Sequence, residues 1–311
     1  MSTFVGAPSK RRSRTRNKPV VVGNTPPSIP VRAIKGVVLT LACAVIIVPF
    51  LAVVSTSLAD QQQITTAGGF VLWPTHPSFY AYRAILGGGV VTRGLLVSIG
   101  ITVVGTLLSL AASVLLAYGL SRPGSLGHKP VLMMVLFATL FGPGMIPSYL
   151  MVKYMGLINS WWSLIIPTLV NAFYVLVLRS FMMELPQETL DAVRIDGAGD
   201  LRVLLSIILS LSKAALAVIG LFYAVGYWNA FFNAVLYIND TTKWPLQLVL
   251  RTYVIGNADI PTSDLDTAAA LPPPQSLQMA ILVIAIIPIL IVYPVLQRHF
   301  AKGVLVGAVK G

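Results

Sequence analysis

Gln187-Glu-Thr-Leu-Asp-Ala-Val-Arg-Ile-Asp-Gly-Ala-Gly-Asp200 is a short acidic stretch set between long apolar segments. Glu184, Glu188, Asp191, Asp196 and Asp200 fall within 17 residues, yet they are half of the 10 acidic residues of the chain. Pro186 suits the first position of a helix, where its missing N–H does no harm. Glu188 follows in the first turn, facing the positive end of the helix dipole. Leu190, Val193 and, less squarely, Ile195 give an apolar edge. Asp191 and Arg194 can pair three residues apart, and Gly197 is placed to end the helix in a left-handed cap. The spacing predicts a helix of about ten residues within 186–198.

What lies on either side decides the fold class. The mean hydropathy is +0.82 and only 10% of residues are charged, where a soluble domain carries about a quarter. Six charge-free windows stand out at 36–59, 94–121, 130–152, 154–178, 214–239 and 267–297. Each exceeds the roughly 18 residues that mark a membrane-spanning helix. The alternation of a membrane barrel is absent, which leaves helices as the way to satisfy the backbone in lipid. The expectation is an all-α, polytopic bundle of six transmembrane helices at 31–311, preceded by a disordered basic tail at 1–30.

The formal net charge of +12 does not call for a nucleic acid. With both termini inside, 17 of the 22 Lys and Arg residues fall on the cytoplasmic side, as the positive-inside rule requires. The run Lys10-Arg11-Arg12-Ser13-Arg14-Thr15-Arg16-Asn17-Lys18 then reads as a topology anchor, with lipid headgroups as the alternative contact. Cys43 is the single cysteine, excludes an internal disulfide, and reads as a small core residue. Gly105, Ser109, Ser113 and Ala117 recur every four positions, a stripe that lets another helix approach closely. Pro143, Pro147 and Pro167 interrupt two of the windows, either as static kinks or as bends along a pathway.

Several chemistries are missing. The chain has no phosphate-binding Gly-rich loop of the G-x-x-x-x-G-K-[ST] type and no H-E-x-x-H or G-x-S-x-G sequence. His76, His128 and His299 are scattered, so no catalytic group or metal site is expected. No Asp, Glu or Lys falls mid-window, which counts against an ion-coupled carrier. A non-transporting anchor or assembly subunit is the other alternative. An acidic helix is repelled by an anionic inner leaflet, so the helix at 186–198 is expected to dock on a soluble partner. Asn171, Tyr227, Trp228, Asn229 and Asn233 supply amides and aromatic faces suited to sugar, or to cross-linking helices inside the bundle. At helical spacing Asn229 and Asn233 share one face. Asp259, Asp264 and Asp266 lie in a long external loop that either docks a protein or is simply solvated.

Asp191-Ala192-Val193, Gly197, Ile207 and Leu209-Ser210 stand at the spacing of E-A-A, three residues, G, nine residues, I-x-L-P. This resembles the cytoplasmic motif in the membrane subunits of binding-protein-dependent ABC importers. Asp191, Val193 and Ser210 depart from it conservatively. Phe141-Gly-Pro-Gly-Met-Ile-Pro-Ser-Tyr149, Gly156-Leu-Ile-Asn-Ser-Trp-Trp162, Tyr227-Trp-Asn-Ala-Phe-Phe-Asn-Ala234 and Lys302-Gly-Val-Leu-Val-Gly-Ala-Val-Lys-Gly311 look like the six-span carbohydrate-importer permease, the smaller partner in maltose-type systems. The subgroup handling oligosaccharides fits best. The resemblance implies a type I importer permease in a prokaryotic plasma membrane, with both termini cytoplasmic. It implies a second permease subunit, a cytoplasmic ATPase dimer that holds ATP and magnesium, and an extracytoplasmic solute-binding protein. It places Glu188, Leu190, Asp191, Ala192, Val193, Arg194, Ile195, Asp196, Gly197 and Ala198 against one ATPase. No cofactor is implied for this chain itself.

Overall fold

The computed structural model describes residues 28–308, without 123, 126, 187, 189, 192–194, 196 and 257–271, and without the side chains of 295–308. Every regular element among the described residues is helical. The expected tail at 1–30 and the acidic loop with Asp259, Asp264 and Asp266 fall almost wholly outside them. Residues 1–48 and 49–311 form two units. The first holds most of helix α1 (Ile29–Ser57), which is apolar throughout and runs through Pro49. Cys43 is exposed on it and is not a core residue. A helix apolar on every side has no single face that must be buried in its own chain.

Within the second unit, α2 (Gln61–Thr66) and α3 (Tyr80–Leu86) fold the segment after α1. The Val71 amide donates to Thr56 Oγ1 at 2.9 Å, and Ser57 Oγ lies 2.7 Å from the Tyr82 hydroxyl. Helix α4 (Gly89–Leu120) is the long axis of the fold, about 48 Å at 1.5 Å per residue. Helices α5 (His128–Leu140) and α6 (Met145–Tyr154) follow. Next come α7 (Trp162–Thr168), α8 (Ala172–Met183), α9 (Asp200–Leu211) and α10 (Lys213–Trp228). Last are α11 (Phe231–Tyr237), α12 (Leu246–Ile255) and α13 (Pro274–Ala308).

Among the described residues, three helices cross a membrane by length and composition without interruption: α1, α4 and the Pro274–Pro294 part of α13. Two further crossings are bent pairs, α7 with α8 at 50° and α9 with α10 at 86°. The third charge-free window is not one helix. It divides at Phe141–Gly144 into α5 and α6, because Pro143 withdraws an amide and Gly144 turns the chain at φ 81°. The six windows therefore yield three uninterrupted spans, the bent pair α7–α8, the divided pair α5–α6, and one window, 214–239, that covers α10 and runs on into α11, while the bent pair α9–α10 begins before it. Apolar length alone does not reveal where a helix stops.

Helices α4 and α10 make the centre of the core. Gly105, Ser109, Ser113 and Ala117 are all buried along the face of α4 that meets α10. Gly105 meets the ring of Tyr227, where a Cβ would stand 2.8 Å from ring carbons. Ser109 Oγ is 2.7 Å from the Tyr227 hydroxyl, and Ser113 Oγ is 2.6 Å from the Tyr223 hydroxyl. Toward the other end of α4, Ser98 Oγ accepts the amide of Leu246 at 2.8 Å and so caps the start of α12. The stripe of small residues thus buys close approach and also supplies the hydroxyls that satisfy two buried phenols.

Candidate functional site

Two regions carry the expected functional residues. The first is the segment between α8 and α9. Glu188, Leu190, Asp191 and Ile195 are helical, and Gly197 has the left-handed backbone, φ 80°, that sequence assigned to the helix end. Leu190 is 5% exposed and belongs to the main core cluster, which Ala198 also meets. Glu188 and Asp191 are exposed. Ile195, expected on the apolar edge, is 86% exposed. Five residues after Leu190, it lies about 140° round the helix from it, so one residue cannot share the other's face. Ala192, Val193, Arg194 and Asp196 lie outside the described residues.

Both flanks of this segment are tied to the C-terminal end of α4. Before it, Arg179 Nε of α8 donates to the Leu120 carbonyl at 2.8 Å. After it, Asp200 in the first turn of α9 takes an ion pair from Arg122 Nη1 at 2.5 Å. Arg122 Nη2 also donates to the Tyr118 hydroxyl, its guanidinium lies 4.3 Å over the Tyr118 ring, and that hydroxyl donates to the Asp200 carbonyl at 3.2 Å. Sequence reading missed this cluster. Arg122 counted only toward loop charge, and nothing local reveals a partner 78 residues away.

The second region is the set of expected solute contacts. Asn171 caps α8, its Oδ1 accepting the Tyr174 amide at 3.2 Å, while its own amide donates to the Tyr223 hydroxyl at 2.9 Å. Tyr227 is buried, its hydroxyl reaching Thr168 Oγ1 and the Ile165 carbonyl at 3.4 Å each. Trp228 is buried and donates to the Ala285 carbonyl at 3.2 Å. One hydroxyl-lined seam therefore brings Asn171 and Tyr227 together with α4 and the α7–α8 bend. Asn229 and Asn233 do not share a helical face. Helix α10 ends at Trp228, the Asn229 side chain turns back to the Val225 carbonyl at 2.9 Å, and Asn233 belongs to α11. The Asn229 amide competes for the carbonyls of the last turn and so helps stop the helix.

A cavity of about 720 Å³ opens beside the far end of α4, lined by Arg93, Asn159, Trp161, Trp162 and Lys243 among others. None of the five expected solute contacts lines it. Asn159, in the left-handed region at φ 62°, is the hub beneath it. Its amide donates to the Tyr237 carbonyl at 2.7 Å, its Oδ1 accepts the Asp240 amide at 3.0 Å, and its carbonyl accepts Lys243 Nζ at 2.9 Å. Asn tolerates that backbone better than most residues, the only signal by which sequence could have singled it out. Two hydrogen bonds from Thr242, side chain and main chain, hold the Asp240 carboxyl below the usual carboxylate range.

No family model matches the chain. It is 43% identical over 274 residues to the polygalacturonan/rhamnogalacturonan transport system permease protein YtcP of Bacillus subtilis (strain 168), covering 88% of this chain and 96% of that one. It is 43% identical to the protein LplC of the same organism, covering 86% and 90%. It is 28% identical to the diacetylchitobiose uptake system permease protein NgcG of Streptomyces coelicolor, covering 88% of each. Among solved structures, it superposes with a TM-score of 0.82 and 28% identity on a chain of a bacterial ABC transporter involved in the import of the acidic polysaccharide alginate, covering 89% of this chain and 100% of that one. The all-helical architecture, the broken spans and this degree of identity along nearly the whole chain establish that it belongs to the membrane-permease family of ABC sugar importers.

Proposed function

We propose that this chain is the permease subunit of an ATP-driven importer that admits an oligosaccharide by alternating access. The observation that carries the reading is the segment before Gly197: one side, at Leu190, is anchored in the core, while Glu188, Asp191 and Ile195 face outward. An acidic surface with an exposed isoleucine, held at the inner end of the bundle, fits a groove on a soluble protein better than an anionic leaflet. Glu188 to Ala198, including Ala192, Val193, Arg194 and Asp196, form the contact with one ATPase of a pair, and ATP and magnesium belong to that ATPase. A second permease subunit completes the pathway, and a solute-binding protein delivers sugar outside the plasma membrane, with both termini of this chain cytoplasmic. ATPase closure biases a two-state bundle through this contact.

Asn171, Asn229 and Asn233 are the proposed sugar contacts, with Tyr227 and Trp228 forming the wall behind them. The relatives' names direct the first trial to oligosaccharides of acidic and amino sugars. Uptake of labelled trigalacturonate and diacetylchitobiose is measured in cells carrying the whole complex, with Gly197→Asp alongside. Gly197→Asp is expected to abolish accumulation while the subunit stays in the membrane. Normal accumulation by that variant removes the coupling role, and accumulation of neither sugar removes the oligosaccharide reading.

A further inference from the structure

We infer that Arg122 is a positioning residue that makes α4 and the ATPase-contacting segment one moving body. This rests on the reading of that segment given above. Force applied at 188–197 has two covalent exits, back into α8 and forward into α9. Each exit is bound to the same terminal turn of α4, by Arg179 on the Leu120 carbonyl and by Arg122 on Asp200. Arg122 sits within the protein, with its side chain 25% exposed, while Asp200 is 70% exposed. The cation is therefore held by the ring and hydroxyl of Tyr118, which is itself 9% exposed. The Tyr118 hydroxyl adds a second link, to the Asp200 backbone. An ion pair alone at such exposure would be weak. Two contacts therefore join the end of α4 to the start of α9, the ion pair and the Tyr118–Asp200 hydrogen bond, and the Arg179–Leu120 bond joins it to α8.

Along its middle α4 is packed against α10 through Gly105, Ser109 and Ser113, and nearer its other end against α12 through Ser98. A displacement of the inner segment is therefore delivered along α4 to the middle and far ends of the bundle. The 86° bend between α9 and α10 makes α9 a poor conductor of axial force. Helix α4 has no such break and bypasses the bend.

The experiment uses the assembled complex in nanodiscs, with Cys43 replaced by Ser and spin labels at Ile195→Cys and Leu107→Cys, both exposed positions. The label on residue 195 becomes immobilised when the ATPase is added, which tests the underlying reading by itself. The 195–107 distance is expected to change by less than about 2 Å, the scale of small helix shifts, between nucleotide-free and ATP–vanadate states. In Arg122→Gln it is expected to differ between the two states and broaden, with ATP hydrolysis retained. The pair Arg122→Asp with Asp200→Arg is expected to restore the single distance, which a general loss of packing would not allow. A native distance that moves by several ångströms overturns the inference, as does Arg122→Gln with the native distribution. If label 195 stays mobile, the segment's ATPase contact fails instead.

Discussion

The seam between α4 and α10 and the segment before Gly197 differ in what completes them. In the seam, a Cβ at Gly105 would strike the Tyr227 ring at 2.8 Å, and the phenols of Tyr223 and Tyr227 meet serines within 2.7 Å. Around Gly197, no atom of the described residues lies within 4 Å of the corresponding position, and Ile195 is 86% exposed. The first region is finished by its own chain. The second leaves its outward side, with Glu188, Asp191 and Ile195, exposed, and on the proposed function its complement is the ATPase. Substitutions in the seam should therefore register in the stability of the isolated subunit, and substitutions in the segment should register only in assembly and transport.

Gly105→Leu should break the seam outright. A side chain forced against the Tyr227 ring is expected to cost about 3 kcal/mol or more, seen as loss of the folded subunit in thermal unfolding of detergent-purified protein. Ser98→Ala comes next. It leaves the buried Leu246 amide without its acceptor, at about 1–3 kcal/mol, and native Tm would show that the amide finds another partner. Tyr227→Phe should be milder, near the ~0.6 kcal/mol average of such bonds in membranes, and Ser109→Ala combined with it should add little further. Gly197→Ala sharpens the contrast. It strains a left-handed backbone by about 1–2 kcal/mol in an exposed segment, so Tm should hold while co-purification of the ATPase falls. A parallel drop in Tm would show that the cap at Gly197 also supports the Leu190 core contact.

The smallest expected effect is at Asp240. Its carboxyl ionises below the ordinary range through its bonds to Thr242. A lowered folded value contributes above the unfolded pKa and is lost only as pH falls through the folded one. Between pH 7 and 5 the turn at Thr241–Lys243 should stay intact, and unchanged exchange of the Thr242 amide checks it.

Sequence showed the spans and the stripe on α4 because both are local patterns: bilayer-length apolarity, and small residues at one helical spacing. It showed Gly197 because a left-handed cap has a residue type. It could not show that Gly105 meets Tyr227, since the register between helices depends on where α10 begins, and the bend at Ser212 has no proline or glycine to mark it. Spacing puts Asn229 and Asn233 on one face because the window around them is uninterrupted in hydropathy, while a side-chain hydrogen bond helps end the helix between them. The Arg122–Asp200 pair joins the turn after α4 to the first turn of α9, distant in sequence, and leaves no periodic trace.

The divided window at Phe141–Gly144 has a consequence for where solvent goes. Each helix terminus leaves carbonyls or amides without helical partners, and acyl chains offer them nothing. Helix α5 ends and α6 begins within four residues of each other; the Gly144 carbonyl takes the Ser148 amide and, at 2.7 Å, the Ser148 hydroxyl, so the groups at issue are the carbonyls that end α5 and the amides that open α6. This corner therefore cannot abut hydrocarbon. Its free carbonyls and amides call for water or a protein neighbour on that side of the bundle.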